Sequence, residues 1–347
     1  MIAAHQRKDE GLSTSPERVL VTAGCQEALA LCLPELCSAP GDVLLVCNPA
    51  YIGALDAARH HDIGLAGISL SAGDLSGQIV ARVEELGRSA RRVRALYLVP
   101  NFDNPSGSVL NSEERKAIVD VCAREQIVIL EDNAYGMFSY EGVLPLHMAA
   151  TDPGGCVIHL SSYSKTLAPG LRVGAATLPE TLFGSRTARE ALMARLVARK
   201  EVITLNTAGV NQAIVGGILL EQDFSLKDWV APARNAYRKN RDALLDQMAH
   251  EFSGMEGTGW VPPVGGFFLS VDLPFDFDLD EAMRCAQEHG VIVMPMRFFA
   301  LDRSQDRRIR LAFSSVTPER AREGVRGLAR HLEARLGQIP NLATGAA

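Results

Sequence analysis

Short apolar runs alternate with longer amphipathic stretches through the first two thirds of the chain. Segments 43–47, 95–99, 127–130 and 157–160 are dominated by Val, Ile and Leu, the composition of strands buried on both faces. Between them lie stretches of helical spacing such as 112–126, where Ser112 occupies the capping position and Glu113 and Glu114 place negative charge at the helix N-terminus. Strand and helix in repeated alternation predict an α/β architecture, a mostly parallel sheet covered on both faces. After Lys227 the texture changes. A helical pattern over 229–252 leads into short strand-like runs at 265–271, 291–294 and 309–314, and an amphipathic helix over 318–336 follows. The organisation this predicts is a large domain over 1–227, a smaller α+β C-terminal domain over 228–337 and a flexible tail over 338–347.

Composition narrows the class. A chain of 347 residues with 47% hydrophobic content has the length for about two domains and the apolar material for their cores. The formal net charge of -6 speaks against a general nucleic-acid binder, and the basic run 88–94 reads as a solvated face. The first twenty residues include His5, Arg7, Lys8, Asp9 and Glu10 and hold no signal-peptide core, and no apolar run reaches the length of a membrane span. Seven cysteines without CxxC spacing predict reduced thiols rather than a disulfide framework or a metal site. The expectation is a cytoplasmic protein with no nucleic-acid, membrane or metal partner.

Dinucleotide, P-loop, zincin and serine-hydrolase chemistries lack their anchors, since the chain has no GxGxxG after a strand, no GxxxxGK[ST], no HExxH and no GxSxG. Lysine is scarce, six of the 35 basic residues, and the others lie in polar helical contexts. Lys165 instead follows the buried run 157–160, where an open α/β sheet binds its ligands. An amine there can be partly desolvated and nucleophilic towards an aldehyde, with Ser162, Ser164 and Arg172 at hand for a phosphate. Glu131 and Asp132 end the run 127–130, with Tyr135 three residues on; one of the two carboxylates can serve as an N-cap, both less readily. Gly24, Cys25 and Gln26 open an apolar helical run, a phosphate-compatible helix start that is a weak signal alone. Asn104, Pro105, Ser106 and Gly107, read bare, are turn chemistry.

In their joint order these segments resemble fold-type I pyridoxal-phosphate (PLP) aminotransferases of the class I/II group. The likeness is nearest to the branch of α-aminoadipate/kynurenine-type and arylglycine transaminases. It runs from about residue 2 to residue 335, and its most specific part is SSYSKTLAPGLRVG over 161–174. The resemblance implies the PLP-transferase fold, with Lys165 carrying pyridoxal 5′-phosphate and Asp132 paired with its ring nitrogen. It implies Tyr135 and Asn104 at the ring hydroxyl and Tyr51 stacked on the ring. Gly24, Cys25, Gln26, Ser162, Ser164 and Arg172 would surround the phosphate, Arg310 would grip the substrate α-carboxylate, and Asn104 would also contact substrate. It further implies a homodimer that moves an amino group between an amino acid and a 2-oxo acid by a ping-pong route, with Lys165, Asp132 and Tyr135 as its catalytic residues.

Three departures from the family pattern change expectations. Ser106 replaces the usual threonine, and Asp103 stands where glutamine is frequent, bringing a charge towards the cofactor. The phosphate motif begins at Thr22, whereas the family normally places a longer segment before it that crosses the dimer and covers the site. The large domain is therefore expected to lack most of that arm. Two other readings stay open: a different PLP reaction on the same residues (lyase, decarboxylase or amino-acid oxidase), and a truncated inactive or ligand-sensing aminotransferase-like domain. The amino donor and acceptor are not legible.

Overall fold

The computed structural model describes residues 1–337, and the tail expected over 338–347 lies outside them. Seven strands form the main sheet: β1 (Val19–Thr22), β2 (Asp42–Cys47), β3 (Gly64–Ile68), β4 (Arg92–Leu98), β5 (Val128–Asn133), β6 (Val157–Ser162) and β7 (Gly174–Thr177). Their order is β1-β7-β6-β5-β4-β2-β3, and only β7 runs antiparallel to its neighbours. The four apolar runs read from the sequence are β2, β4, β5 and β6 at its centre.

Alternation along these strands splits the core into two layers. Leu44, Val46, Ala95, Tyr97, Leu130 and Leu160 face one layer, beneath α2 (Cys25–Leu36), α3 (Ile52–His60), α6 (Arg186–Ile203) and α7 (Gly209–Glu221). Val43, Leu45, Leu96, Leu98, Ile129 and Val157 face the other, beneath α4 (Leu75–Gly87) and α5 (Ser112–Arg124). Each fully buried aliphatic side chain contributes about 1.5–3 kcal/mol, so the two layers dominate the stability of this half. Helix α5 is capped one residue earlier than expected. Asn111 Oδ1, not Ser112, accepts the Glu114 N–H (2.9 Å), and the Glu114 carboxylate accepts the Asn111 N–H (2.8 Å). Helix α1 (Ile2–Asp9) lies ahead of β1, and its Gln6 side chain reaches Thr177 of β7.

A second sheet of order β10-β11-β9-β8 is antiparallel throughout, built from β8 (Gly259–Trp260), β9 (Phe268–Asp272), β10 (Met294–Pro295) and β11 (Arg308–Ala312). It shares a core with α8 (Lys227–Glu251), α9 (Leu279–His289) and α10 (Pro318–Leu336). All three of its strands that were read from the sequence are shorter than read, β11 ending at Ala312. β10 covers only the end of 291–294 and one residue beyond it, and β9 starts at Phe268 because Gly265 and Gly266 form a turn against Phe102. A Cβ on Gly265 would lie 2.3 Å from the Phe102 ring. That close pass carries β9 alongside the turn containing Asn104. Among the described residues no helix is long and apolar enough to cross a membrane.

Candidate active site

The C-terminal ends of β4, β5 and β6 and the N-terminus of α2 converge on one cleft. Gly24 caps α2 at φ +85°, a conformation open to glycine, and makes no side-chain capping hydrogen bond. Arg172 donates to Ser164 Oγ (2.9 Å) and to the Ala23 carbonyl (3.1 Å). A Cβ on Gly24 would sit 2.6 Å from the Arg172 guanidinium, and one on Gly174 would sit 2.9 Å from Gly24 Cα. Both glycines are thus needed for the approach. Ser162 Oγ accepts the Ser164 N–H (3.2 Å), so two hydroxyls, a guanidinium and a helix N-terminus meet in one cradle. That is the chemistry of a phosphate site.

Lys165 follows Ser164 in the turn after β6. The expectation that packing partly desolvates it is not met. The side chain is exposed, because it stands past the strand end and no element of the described chain folds over it.

Asp132 is buried at the end of β5. Its Oδ2 accepts the Tyr97 hydroxyl (2.9 Å), and its Oδ1 is buried with no hydrogen-bond partner among the described residues. Burial pushes its pKa up, against the downward pull of Tyr97, the Cys25 thiol and the His159 charge. The Cys25 thiol is raised in turn by burial and by Asp132, so this side chain faces the carboxylate rather than the phosphate cradle. Gln26 also turns its side chain aside. Its Nε2 donates to the Gly53 carbonyl (2.9 Å) and its Oε1 accepts the Tyr51 hydroxyl (3.3 Å), leaving only its backbone to the helix end. Tyr51, half-buried before α3, is thereby fixed over the same cleft.

On the far side Asn104 Nδ2 donates to the Tyr135 hydroxyl (3.4 Å), while Asn104 Oδ1 accepts from Arg310 (2.7 Å). Burial lowers the pKa of Arg310, whose Nε–H is buried without a partner. Asp103 does not project its charge into the cleft. It accepts from Ser106 Oγ (2.6 Å) and the Ser106 N–H (3.1 Å), bracing its own turn, and burial pushes its pKa up to about 6.

Glu131 is fully buried and committed elsewhere. It accepts the Met148 (2.9 Å) and Ala149 (3.0 Å) N–H groups and the His159 ring (3.1 Å), and His159 also meets Glu10 (3.2 Å). His147 Nδ1 stands 3.4 Å from it. Sequence reasoning missed Tyr97 and this Glu10, His159 and Glu131 cluster. The available signal was a tyrosine and a histidine inside otherwise aliphatic strands.

The aminotransferase class I and II family description matches residues 1–328. The chain belongs to this family. It is 34% identical over 337 residues to (S)-3,5-dihydroxyphenylglycine transaminase of Amycolatopsis orientalis, covering 97% of this chain and 76% of the relative. The α-aminoadipate aminotransferase structure of Thermus thermophilus, complexed with N-(5′-phosphopyridoxyl)-L-leucine, superposes with a TM-score of 0.82 at 30% identity, covering 98% and 83% of the two chains. An archaeal alanine:glyoxylate aminotransferase structure gives 0.86 at 27% identity, covering 96% and 79%. The fold is that of the PLP-dependent aminotransferases. As a member of this family the chain is a transaminase that uses pyridoxal 5′-phosphate and moves an amino group between an amino acid and a 2-oxo acid. The residues lining the cleft fit that cofactor. The cradle offers donors for a phosphate, and the unpaired, buried Asp132 Oδ1 is complementary to a protonated ring nitrogen.

Proposed function

We propose that Lys165, Asp132 and Tyr135 are the catalytic residues of a ping-pong transaminase. Gly24, Cys25, Gln26, Ser162, Ser164 and Arg172 bound the phosphate end of the cofactor, through backbone at Cys25 and Gln26. Tyr51 covers the ring, and Arg310 and Asn104 receive the substrate. One observation carries the reading: a buried carboxylate with an unpaired oxygen stands at the end of β5, beside the strand that leads to Lys165. An uncompensated buried charge is costly, so this chain has a place for a cation there.

When bound, PLP supplies the electron sink for charge developing at the substrate Cα. Asp132 holds the negative charge that keeps the sink protonated, and Tyr97 orients it. Lys165 Nζ would act as the general base that takes the proton from the substrate Cα. The Tyr135 hydroxyl, which accepts from Asn104, would donate to the ring oxygen. Arg310 holds the α-carboxylate with a guanidinium that already has one unpaired donor, which fixes Cα relative to Lys165.

The two sheets, each with its own core, support a large domain over 1–227 and a small one over 228–337. Seven free cysteines, six of them buried, support a reducing, cytoplasmic setting. Exposed apolar residues on α6, α7 and their link support a homodimer. The donor is an α-amino acid, and a donor panel with 2-oxoglutarate and pyruvate tests the whole reading. Under anaerobic conditions a true donor converts the bound cofactor stoichiometrically to its pyridoxamine form. Consumption of the donor with no such conversion would assign the site to elimination, decarboxylation or oxidation instead.

A further inference from the structure

Two segments far apart in sequence are tied together beside Arg310. Asn48 follows β2 and precedes the turn that carries Tyr51. Its Oδ1 accepts the Leu301 N–H (3.0 Å), and its Nδ2 donates to Asp302 Oδ2 (3.2 Å). Two residues on, the Ala50 N–H donates to the Phe299 carbonyl (2.8 Å). Three hydrogen bonds therefore fasten the 299–302 loop of the second sheet to the Tyr51 turn of the first. Phe299, 3% exposed, uses that anchorage. The Arg310 guanidinium carbon lies 4.7 Å from its ring centroid and 4.3 Å from that of Phe268.

Such contacts matter because a free arginine samples many rotamers, whereas a carboxylate is gripped bidentately from one. Among the described residues Arg310 has one hydrogen-bond partner, Asn104, so the two rings supply the rest of its orientation. Phe268 belongs to β9 and is fixed by the sheet. Phe299 ends a short 3-10 helix (Met296–Phe299) just before the latched loop, and the Ala50 N–H holds its carbonyl.

We propose that Asn48 is a positioning residue: with Asp302 it latches the 299–302 loop so that Phe299 holds Arg310 in its carboxylate-gripping pose. The proposal rests on the reading of Arg310 as the carboxylate group's partner. It makes recognition of the substrate carboxylate depend on a side chain that touches neither substrate nor cofactor.

The test compares holoenzyme variants on an amino acid donor and on a simple amine lacking a carboxylate. Asn48→Ala raises the amino-acid KM about tenfold with kcat held within about twofold, the signature of lost ground-state positioning. The amine half-reaction and the cofactor absorbance stay unchanged, and hydrogen exchange at the Leu301 amide accelerates. Asn48→Asp sets a carboxylate against Asp302 and weakens binding further. Adding Asp302→Asn to it recreates the donor and acceptor in exchanged places and restores KM. Equal slowing of the amine would overturn the proposal, because Asn48 would then act through the Tyr51 turn. So would a wild-type KM in Asn48→Ala despite faster exchange at Leu301, or no rescue by the double exchange. Arg310→Ala separates the two claims. If that variant still discriminates amino acid from amine as the wild type does, the reading of Arg310 fails, whatever Asn48 does.

Discussion

Asp132 concentrates the chemistry of the site at a single residue. Burial destabilises its anion, two donors partly compensate, and one oxygen stays unpaired, so the free energy of a cationic ring nitrogen has somewhere to act. Asp132→Asn keeps the shape and removes the charge. It is expected to retain PLP while losing turnover by about a hundredfold or more, measured as kcat in the transamination assay. Near wild-type kcat would show that the carboxylate is not the ring's counter-ion. Glu131 cannot substitute for it, since both its oxygens already accept backbone N–H groups. Read bare, the strand end left these two neighbours undivided and only the family resemblance singled out Asp132, because strand alternation sends the two to opposite faces and only the packing shows which face is the cleft. Tyr97 was hidden for a similar reason: within a buried run nothing but the fold reveals that its hydroxyl reaches Asp132.

Among the elements, β5 and β6 do most to place the site, and their ends are pinned from behind. Burial alone would lower His159, but Glu10 and Glu131 outweigh it and lift its pKa from 6.5 to about 10. Burial alone would raise Glu10, but the His159 charge and hydrogen bond hold it down at about 2. The signs give opposite losses. The His159 contribution is complete below about pH 6.5 and disappears as pH rises through about 10, whereas the Glu10 contribution is complete above about pH 4.5 and disappears as pH falls through about 2. Removing one partner of a buried ion pair costs about 3–5 kcal/mol, so His159→Asn is expected to lower the urea midpoint clearly at pH 6 and progressively less towards pH 10. A pH-independent difference between the two proteins would contradict the assignment of charge to His159. The strands themselves were legible from their Val, Ile and Leu runs, and α10 matched its expected span, because burial on one or both faces writes itself into periodicity. The cap at Asn111 and the shortened β10 were not, because a one-residue choice of cap and the pairing of a short edge strand are decided by tertiary contacts.

For the whole molecule, the α6 to α7 corner is an exposed apolar surface that favours the proposed homodimer. Val202, Leu205 and Val210 are 85%, 75% and 74% exposed there. The corner is also wired to the cradle. Lys200 of α6 donates to Glu27 (2.8 Å), which accepts the Ala23 N–H (2.6 Å), and Asn211 of α7 donates to the Leu171 carbonyl (2.8 Å) next to Arg172. A homodimer through this face would therefore steady the phosphate site. Paired Val202→Glu and Leu205→Glu exchanges are expected to shift sedimentation from dimer to monomer and to weaken PLP retention. A wild-type protein that sediments only as monomer at micromolar concentration would contradict the interface.

The joint order of the motifs made the family legible across the chain, while the role of each residue rests on what the folded chain brings together. The central claim is that Lys165 carries the cofactor, and borohydride reduction of the holoenzyme followed by peptide mapping tests it most directly. A pyridoxyl group is expected on the peptide containing Lys165 and on no other. A label on Lys8, Lys116, Lys200, Lys227 or Lys239 would contradict it.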